Sequence, residues 1–234
     1  MKLFKKITSY FTKFELILWL SSLALILITF FAFNNKDYMK LSASLIGATA
    51  LILNAKGNPL GQVLIIIFAT LYSIISYACA YYGEMITYFG MSLPMAIIAL
   101  VAWLKNPFEK GKSEVKVNTI TKKEYVFMSV LTVLVTIAFY FILKALNTAN
   151  LIFSTLSVTT SFAACYLTFR RSPLYALFYA LNDFVLIILW IMVAISDLSY
   201  LSVIICFIVF LINDLYGFFA WLKMEKRQKR LSNA

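Results

Sequence analysis

Two Asn-Asp pairs interrupt otherwise apolar stretches, Asn182-Asp183 and Asn213-Asp214. An amide or a carboxylate in hydrocarbon is costly unless it faces a partner or a cavity. Two such pairs on adjacent stretches imply a polar site enclosed within a membrane bundle. Tyr179, Trp190, Tyr216 and Trp221 lie around them in sequence. Asp183 and Trp190 are seven residues apart, nearly in line down one helix face, with Asn182 beside that line. Asn213 and Tyr216 share a face, and Gly217 beside them would let a helix or a ligand approach closely. Amides and hydroxyls can hold an uncharged polar ligand, and aromatic rings can stack on a flat heterocycle. The chemistry implied is recognition. A plainer role stands beside it, because Asn and Asp within spans also hydrogen-bond neighbouring helices and bind nothing else.

The elements that must position these residues are membrane helices. Of the 234 residues, 62% are apolar and 13% are charged, against about 25% charged in a soluble domain. The net charge of +11 does not imply nucleic-acid binding, because the basic residues cluster between apolar stretches. The chain has no His, which removes the usual general base and most zinc sites. No cofactor and no metal site is expected. Cys79, Cys165 and Cys206 lie within apolar stretches and read as small packing residues. Lys2, Lys5, Lys6 and Lys13 precede the first apolar run, which ends in Asn34-Asn35-Lys36 with no small-residue cleavage site, so it reads as a retained span.

A spanning helix needs about 20 apolar residues. Eight spans are expected, at 14–33, 39–55, 59–82, 85–104, 125–146, 149–168, 173–196 and 199–222. Asn58-Pro59 and Ser172-Pro173 each offer a capping residue followed by Pro at a helix start. Asp197-Leu198-Ser199 is the expected turn between the last two spans, and Lys105 to Glu124 reads as a solvated connector. With the N-terminus inside, eighteen of the 21 Lys and Arg fall in inner segments, so both termini are expected in the cytoplasm. Trp19, Trp103 and Trp221 then read as interfacial belt residues, and Tyr81 and Tyr82 as the outer belt. Glu84 falls in an outer loop and reads as solvated. The basic tail after Trp221 reads as an anchor facing anionic lipid.

The two halves look related. Lys13 and Glu15 match Lys123-Glu124, Pro59-Leu60 matches Pro173-Leu174, and Trp103-Leu104-Lys105 matches Trp221-Leu222-Lys223. Pro-to-Trp distances are 44 and 48 residues. Four spans per half make this a parallel repeat. The Asn-Asp pairs belong to the second half alone; their place in the first half falls at Met95-Ala96, beside Pro94. Span three instead offers Tyr72, Ser73, Ser76 and Tyr77, at spacings that share one helix face.

Several of these segments together resemble the PnuC-type nicotinamide riboside transporters of bacteria. They are Asn58-Pro-Leu-Gly-Gln62, Tyr82-Gly-Glu-Met85, Trp103-Leu-Lys-Asn-Pro107, Phe169-Arg-Arg-Ser-Pro173, Asn182-Asp183 with Leu189-Trp190, and Asn213-Asp-Leu-Tyr-Gly217 with Trp221. The resemblance covers about residues 12 to 225. It implies an all-α integral membrane fold of eight helices forming a single transporter domain over 1–234. Helix 14–33 would be an extra N-terminal helix, 39–104 and 149–222 two three-helix bundles of a SWEET-like fold, and 125–146 the helix that links them. It also implies facilitated diffusion of a vitamin-type nucleoside across the bacterial cytoplasmic membrane, with trapping by a cytosolic kinase. On that reading Asn182, Asn213 and Tyr216 bind polar groups of the ligand, Trp190 and Tyr72 stack on it or gate it, Asp183 and Tyr179 complete the binding set, and Gln62, Trp103 and Trp221 are candidate gates. The partners are the small-molecule substrate and the lipid bilayer, and a homo-oligomer is compatible with the sequence. Two kinds of alternative remain. The same fold could carry thiamine or riboflavin, or the chain could be a membrane enzyme or a non-transporting scaffold, although no cluster of carboxylates or His marks a membrane-surface active site.

Overall fold

A computed structural model describes residues 10–33, 37–78, 82–195 and 200–233. Eight helices in it are long and apolar enough to cross a membrane, one at each expected position. In chain order they are α1 (Lys13–Ala32), α2 (Tyr38–Ala55), α3 (Pro59–Ala78), α4 (Tyr82–Lys105), α5 (Lys122–Ala145), α6 (Leu151–Phe169), α7 (Leu174–Ala194) and α8 (Leu201–Ser232). The expected turn Asp197-Leu198-Ser199, Cys79 and Tyr81 lie outside the described residues. Helices α2, α3 and α4 pack in succession, as do α6, α7 and α8. The two groups meet where α2 lies on α8 and α4 on α6; α5 packs on α6, and α1 on α2 and α8.

The starts of the helices follow their sequence. Thr12 and Glu15 form a reciprocal capping box at α1: the Glu15 backbone N–H donates to Thr12 Oγ1 at 3.2 Å and the Thr12 N–H to Glu15 Oε2 at 2.6 Å. The same Glu15 accepts Lys56 Nζ from the end of α2 at 3.1 Å and the Tyr216 hydroxyl from α8 at 2.9 Å. One carboxylate thereby ties α1 to both of its neighbours. Asn58 Oδ1 accepts the Leu60 N–H at 3.0 Å, and Ser172 Oγ the Leu174 N–H at 3.4 Å, so both Pro-Leu starts are capped as expected. Within α4 one π turn, Tyr88–Ser92, precedes Pro94. Proline offers no N–H to the ladder and crowds the preceding turn, and a widened turn absorbs both effects.

Two expectations need correction. The connector between α4 and α5 is not simply solvated. Val115 and Ile120 are buried, and Pro107 and Val115 form an isolated antiparallel bridge. The connector is pinned to three helix ends: the Val115 N–H donates to the Gly57 carbonyl, the Asn118 N–H to the Arg171 carbonyl, and the Val117 N–H to Gln228 Oε1. Gln228 is available because α8 runs to Ser232, ten residues beyond the apolar stretch. A helix needs no membrane to continue, and here Gln228 and Arg227 hold Glu114 of the connector. The tail is thus partly a clamp as well as a basic segment.

Candidate functional site

The end of the bundle that carries Lys56, Lys105 and Arg171, here the basic end, is closed by aromatic packing. Trp103 and Trp221 are fully buried, with ring centroids 5.3 Å apart, and Tyr175 lies 4.9 Å from Trp221. Neither Trp is an interfacial belt residue as expected. The reason is the acceptor each one reaches: Trp103 Nε1 donates to the Thr168 carbonyl at 2.8 Å, and Trp221 Nε1 to the Asn54 carbonyl at 2.7 Å. Gln62 belongs to the same layer, donating from Nε2 to Asn54 Oδ1 at 2.9 Å. Gly61 makes that possible, since a Cβ there would overlap the Asn54 side chain. Gln62 and Trp221 therefore meet at Asn54, and Trp103 joins them through its ring contact with Trp221.

Beyond this layer the bundle opens. A cavity of about 440 Å³ reaches from Phe68 and Phe210 to Lys40, in the first turn of α2, and to Tyr200 and Ser202 at the start of α8. It therefore lies in the half away from the basic end. Tyr72, Ser76, Trp190, Cys206 and Phe207 line it. The α1 side chains Ile26, Thr29 and Phe30 complete the wall, so the extra helix takes part in enclosing it. A second space of about 40 Å³ lies between α4, α6 and α7, lined by Tyr88, Ser161 and Asn182 among others; that is room for very little besides water. Tyr72 and Glu84 border both spaces. The Tyr72 ring lies 4.5 Å from Tyr88, tilted by 44°, and 5.6 Å from Phe68, and Trp190 stacks on Tyr200 at 5.3 Å and 27°.

Of the seven proposed binding residues, Tyr72 and Trp190 line the large cavity and Asn182 the small one. The other four line neither. Asn182 Oδ1 accepts the hydroxyls of Ser157 at 3.0 Å and Thr160 at 2.9 Å, both on α6. Asn213 is buried and donates to Ser22 Oγ at 2.9 Å and to the Val209 carbonyl at 2.8 Å, and Tyr216 is held by Glu15. These two join α8 to α1. Gly217 faces Ala176 and Ala55, and a Cβ added there would lie 3.6 Å and 3.8 Å from theirs. Asp183 and Asp214 are both buried and hydrogen-bond each other across α7 and α8. The Tyr179 hydroxyl meets Cys165 Sγ at 3.3 Å. On α3 the expected polar face divides: Tyr72 and Ser76 line the cavity, Ser73 returns its hydroxyl to the Ala69 carbonyl, and Tyr77 is exposed.

Glu84 is the residue that the reading of the sequence misplaced. It lies in the first turn of α4, which begins at Tyr82 rather than at residue 85, and it faces both cavities. The Tyr72 hydroxyl donates to it. A signal was available: Glu84 and Tyr88 are one helical turn apart, a spacing that places both on one face of any helix containing them.

Eight apolar helices enclosing an aromatic-walled cavity beside a sealed layer make this a multi-pass membrane protein of the solute-carrying kind. Residues 37–223 match the nicotinamide mononucleotide transporter family, and the chain belongs to that family, which is one of transporters and not of enzymes. Similar curated proteins are the nicotinamide riboside transporter PnuC of Neisseria mucosa, 25% identical over 92% of this chain and 83% of that protein, and PnuC of Haemophilus influenzae, 24% identical over 97% of both chains. A crystal structure of the vitamin B3 transporter PnuC superimposes with a TM-score of 0.81 over 93% of this chain and 94% of its own, at 22% identity. The fold is therefore shared with a solved transporter.

Proposed function

We propose that this chain imports nicotinamide riboside by facilitated diffusion, with trapping by a cytosolic kinase, and that its basic end and both termini face the cytoplasm. The single observation that carries the choice of substrate is the chemistry of the large cavity. Its volume is in the range of small-molecule sites, about 300–1,000 Å³, and its walls are mainly apolar, aromatic and hydroxyl-bearing, with one basic and one acidic side chain among the described residues, Lys40 and Glu84. The family description names the mononucleotide, whereas the curated relatives are named for the riboside. The two ligands differ by a phosphate, which calls for Arg, Lys or a helix N-terminus. Among the described lining residues the one basic side chain is Lys40, already bridged to Asp37 at 3.2 Å, and Glu84 adds negative charge. The riboside suits that wall better. The eighteen-to-three bias of basic residues supports the orientation, and the sealed Trp103–Trp221 layer would then bar the cytoplasmic side while the cavity lies toward the outside. Matched Pro-Leu turns and the pairing of α2–α4 and α6–α8 support two repeated bundles linked by α5.

Proteoliposomes containing the purified protein test the reading. Labelled nicotinamide riboside should enter down its gradient faster than nicotinamide mononucleotide, thiamine or riboflavin. Faster entry of one of those three would replace the substrate, and no uptake of any would leave a non-transporting membrane protein.

A further inference from the structure

Nine of the ten acidic residues are described, and six of them pair with a cation. Glu15, Asp37, Glu109, Glu114, Glu124 and Glu225 each lie within 4 Å of a Lys or Arg. Asp183 and Asp214 hold each other. Glu84 has no cation among the described residues; its partner is the Tyr72 hydroxyl. It also stands on the wall of the large cavity, where the only described basic side chain is committed to Asp37. A carboxylate in a low-dielectric wall without a counter-ion is unfavourable, and a ligand that brings a cation relieves it. The rings beside it suit such a ligand, because Phe68 and Tyr72 line the same cavity and aromatic rings attract a flat cation.

We infer that Glu84 is the specificity-determining counter-charge of the cavity, selecting flat heterocycles that carry a fixed positive charge. The inference rests on the proposed riboside reading and deepens it: the nicotinamide ring of the riboside is a pyridinium, cationic at every pH. Riboflavin, with a neutral ring system, lacks the feature, and a phosphate would face Glu84 with like charge. Thiamine, which also carries a ring cation, would satisfy Glu84 as well.

The test is equilibrium binding by the purified full-length protein to nicotinamide riboside and to its dihydro form, which has nearly the same outline but no ring charge. Wild type should prefer the charged form by at least about ten-fold, the factor that corresponds to about 1.4 kcal/mol. Glu84→Gln should lose at least about that factor for the charged form and bind the dihydro form as wild type does. A Gln variant that folds and binds both forms like wild type overturns the inference while leaving the transporter reading intact. Wild type that binds neither form overturns the substrate reading itself. Should the Gln variant not fold, the wild-type ratio decides: equal affinity for the charged and uncharged rings removes Glu84 as the selector. Wild type that takes thiamine in preference to the riboside, with both lost in Glu84→Gln, keeps the counter-charge and changes the vitamin.

Discussion

The two ends of the bundle use the same kinds of residue to opposite effect. At the basic end the rings of Trp103, Trp221 and Tyr175 fill all the space, and each indole N–H reaches a backbone carbonyl. At the other end Tyr72, Trp190, Phe207 and Phe210 stand around a space of about 440 Å³. What differs is where the carbonyls are. Thr168 and Asn54 sit at matching places, each three residues before a left-handed residue, Arg171 at φ 56° and Gly57 at φ 63°. The N–H of each left-handed residue donates to that carbonyl, Arg171 to Thr168 at 3.0 Å and Gly57 to Asn54 at 2.8 Å, and the bend leaves the second lone pair open to the indole. The seal is also reciprocal: Trp103 at the end of α4 caps α6 of the other half, and Trp221 on α8 caps α2 of the first. An aromatic side chain becomes a plug where its N–H meets a helix-end carbonyl, and a wall where it does not.

The comparison implies that substitutions at the two ends fail in different ways. The largest effect belongs to the seal. Trp221→Ala removes a fully buried ring and its hydrogen bond to the Asn54 carbonyl, and should destabilise the protein by about 3–5 kcal/mol, read as a lower midpoint of thermal unfolding in detergent. Trp103→Ala should cost about as much, because its position is equivalent. A large loss in one and none in the other would break the reciprocity.

Next in size is the cavity wall. Tyr72→Ala removes a half-buried ring bordering open space, so folding should suffer little while the ligand loses its stacking surface and Glu84 its hydroxyl. Affinity for nicotinamide riboside should fall about ten- to a hundred-fold, corresponding to about 1.4–2.8 kcal/mol, measured by titration calorimetry. A Tyr72→Ala protein that unfolds like Trp221→Ala, or that binds like wild type, would erase the distinction between wall and plug.

The same division explains what could be read from the chain alone. Hydropathy placed all eight spans, because length and apolarity are local properties. The Pro-Leu starts were legible for the same reason. The partner of a polar group is not local. Asn213 and Tyr216 lie on the polar face expected of them, yet that face meets Ser22 and Glu15 of α1, and nothing in the spacing of α8 reveals which helix it will meet. Trp103 looked like a belt residue because sequence shows the ring near a basic loop but not the Thr168 carbonyl waiting across the bundle. Glu84 was lost to a difference of a few residues in where α4 begins.

A smaller effect separates glue from site. Asn213→Ala deletes two hydrogen bonds, to Ser22 and to the Val209 carbonyl; each is worth about 0.5–1.5 kcal/mol. Stability should drop by about 1–3 kcal/mol with ligand affinity unchanged. Asn182→Ala borders the small space rather than the large one and should behave in the same way. If either variant keeps its stability but loses binding, the ligand reaches past Tyr72 into the second half, and the boundary between site and scaffold has to be moved inward.

The smallest expected effect is at Asp183, and it bears on what drives transport. Asp183 and Asp214 are the two acidic residues deep in the spans, which suits a proton carrier in principle. The two side chains bond each other, joining α7 to α8, with Asp183 Oδ2 left buried and unpartnered, and neither residue lines either cavity. A hydrogen bond between two carboxyl groups needs a proton on one of them, whereas an amide at 183 can donate to Asp214 with a proton that never leaves. Asp183→Asn therefore keeps the link and removes any proton cycle through that residue. If the bond is a fastener between helices, the variant should carry nicotinamide riboside down its gradient at close to the wild-type rate. An imposed pH gradient should then concentrate substrate in neither protein, since flow would follow the substrate gradient alone. Accumulation above the outside concentration by wild type under a proton gradient, lost in Asp183→Asn, would instead make the pair a proton carrier and extend the working part of the molecule from the cavity wall to the joint between α7 and α8.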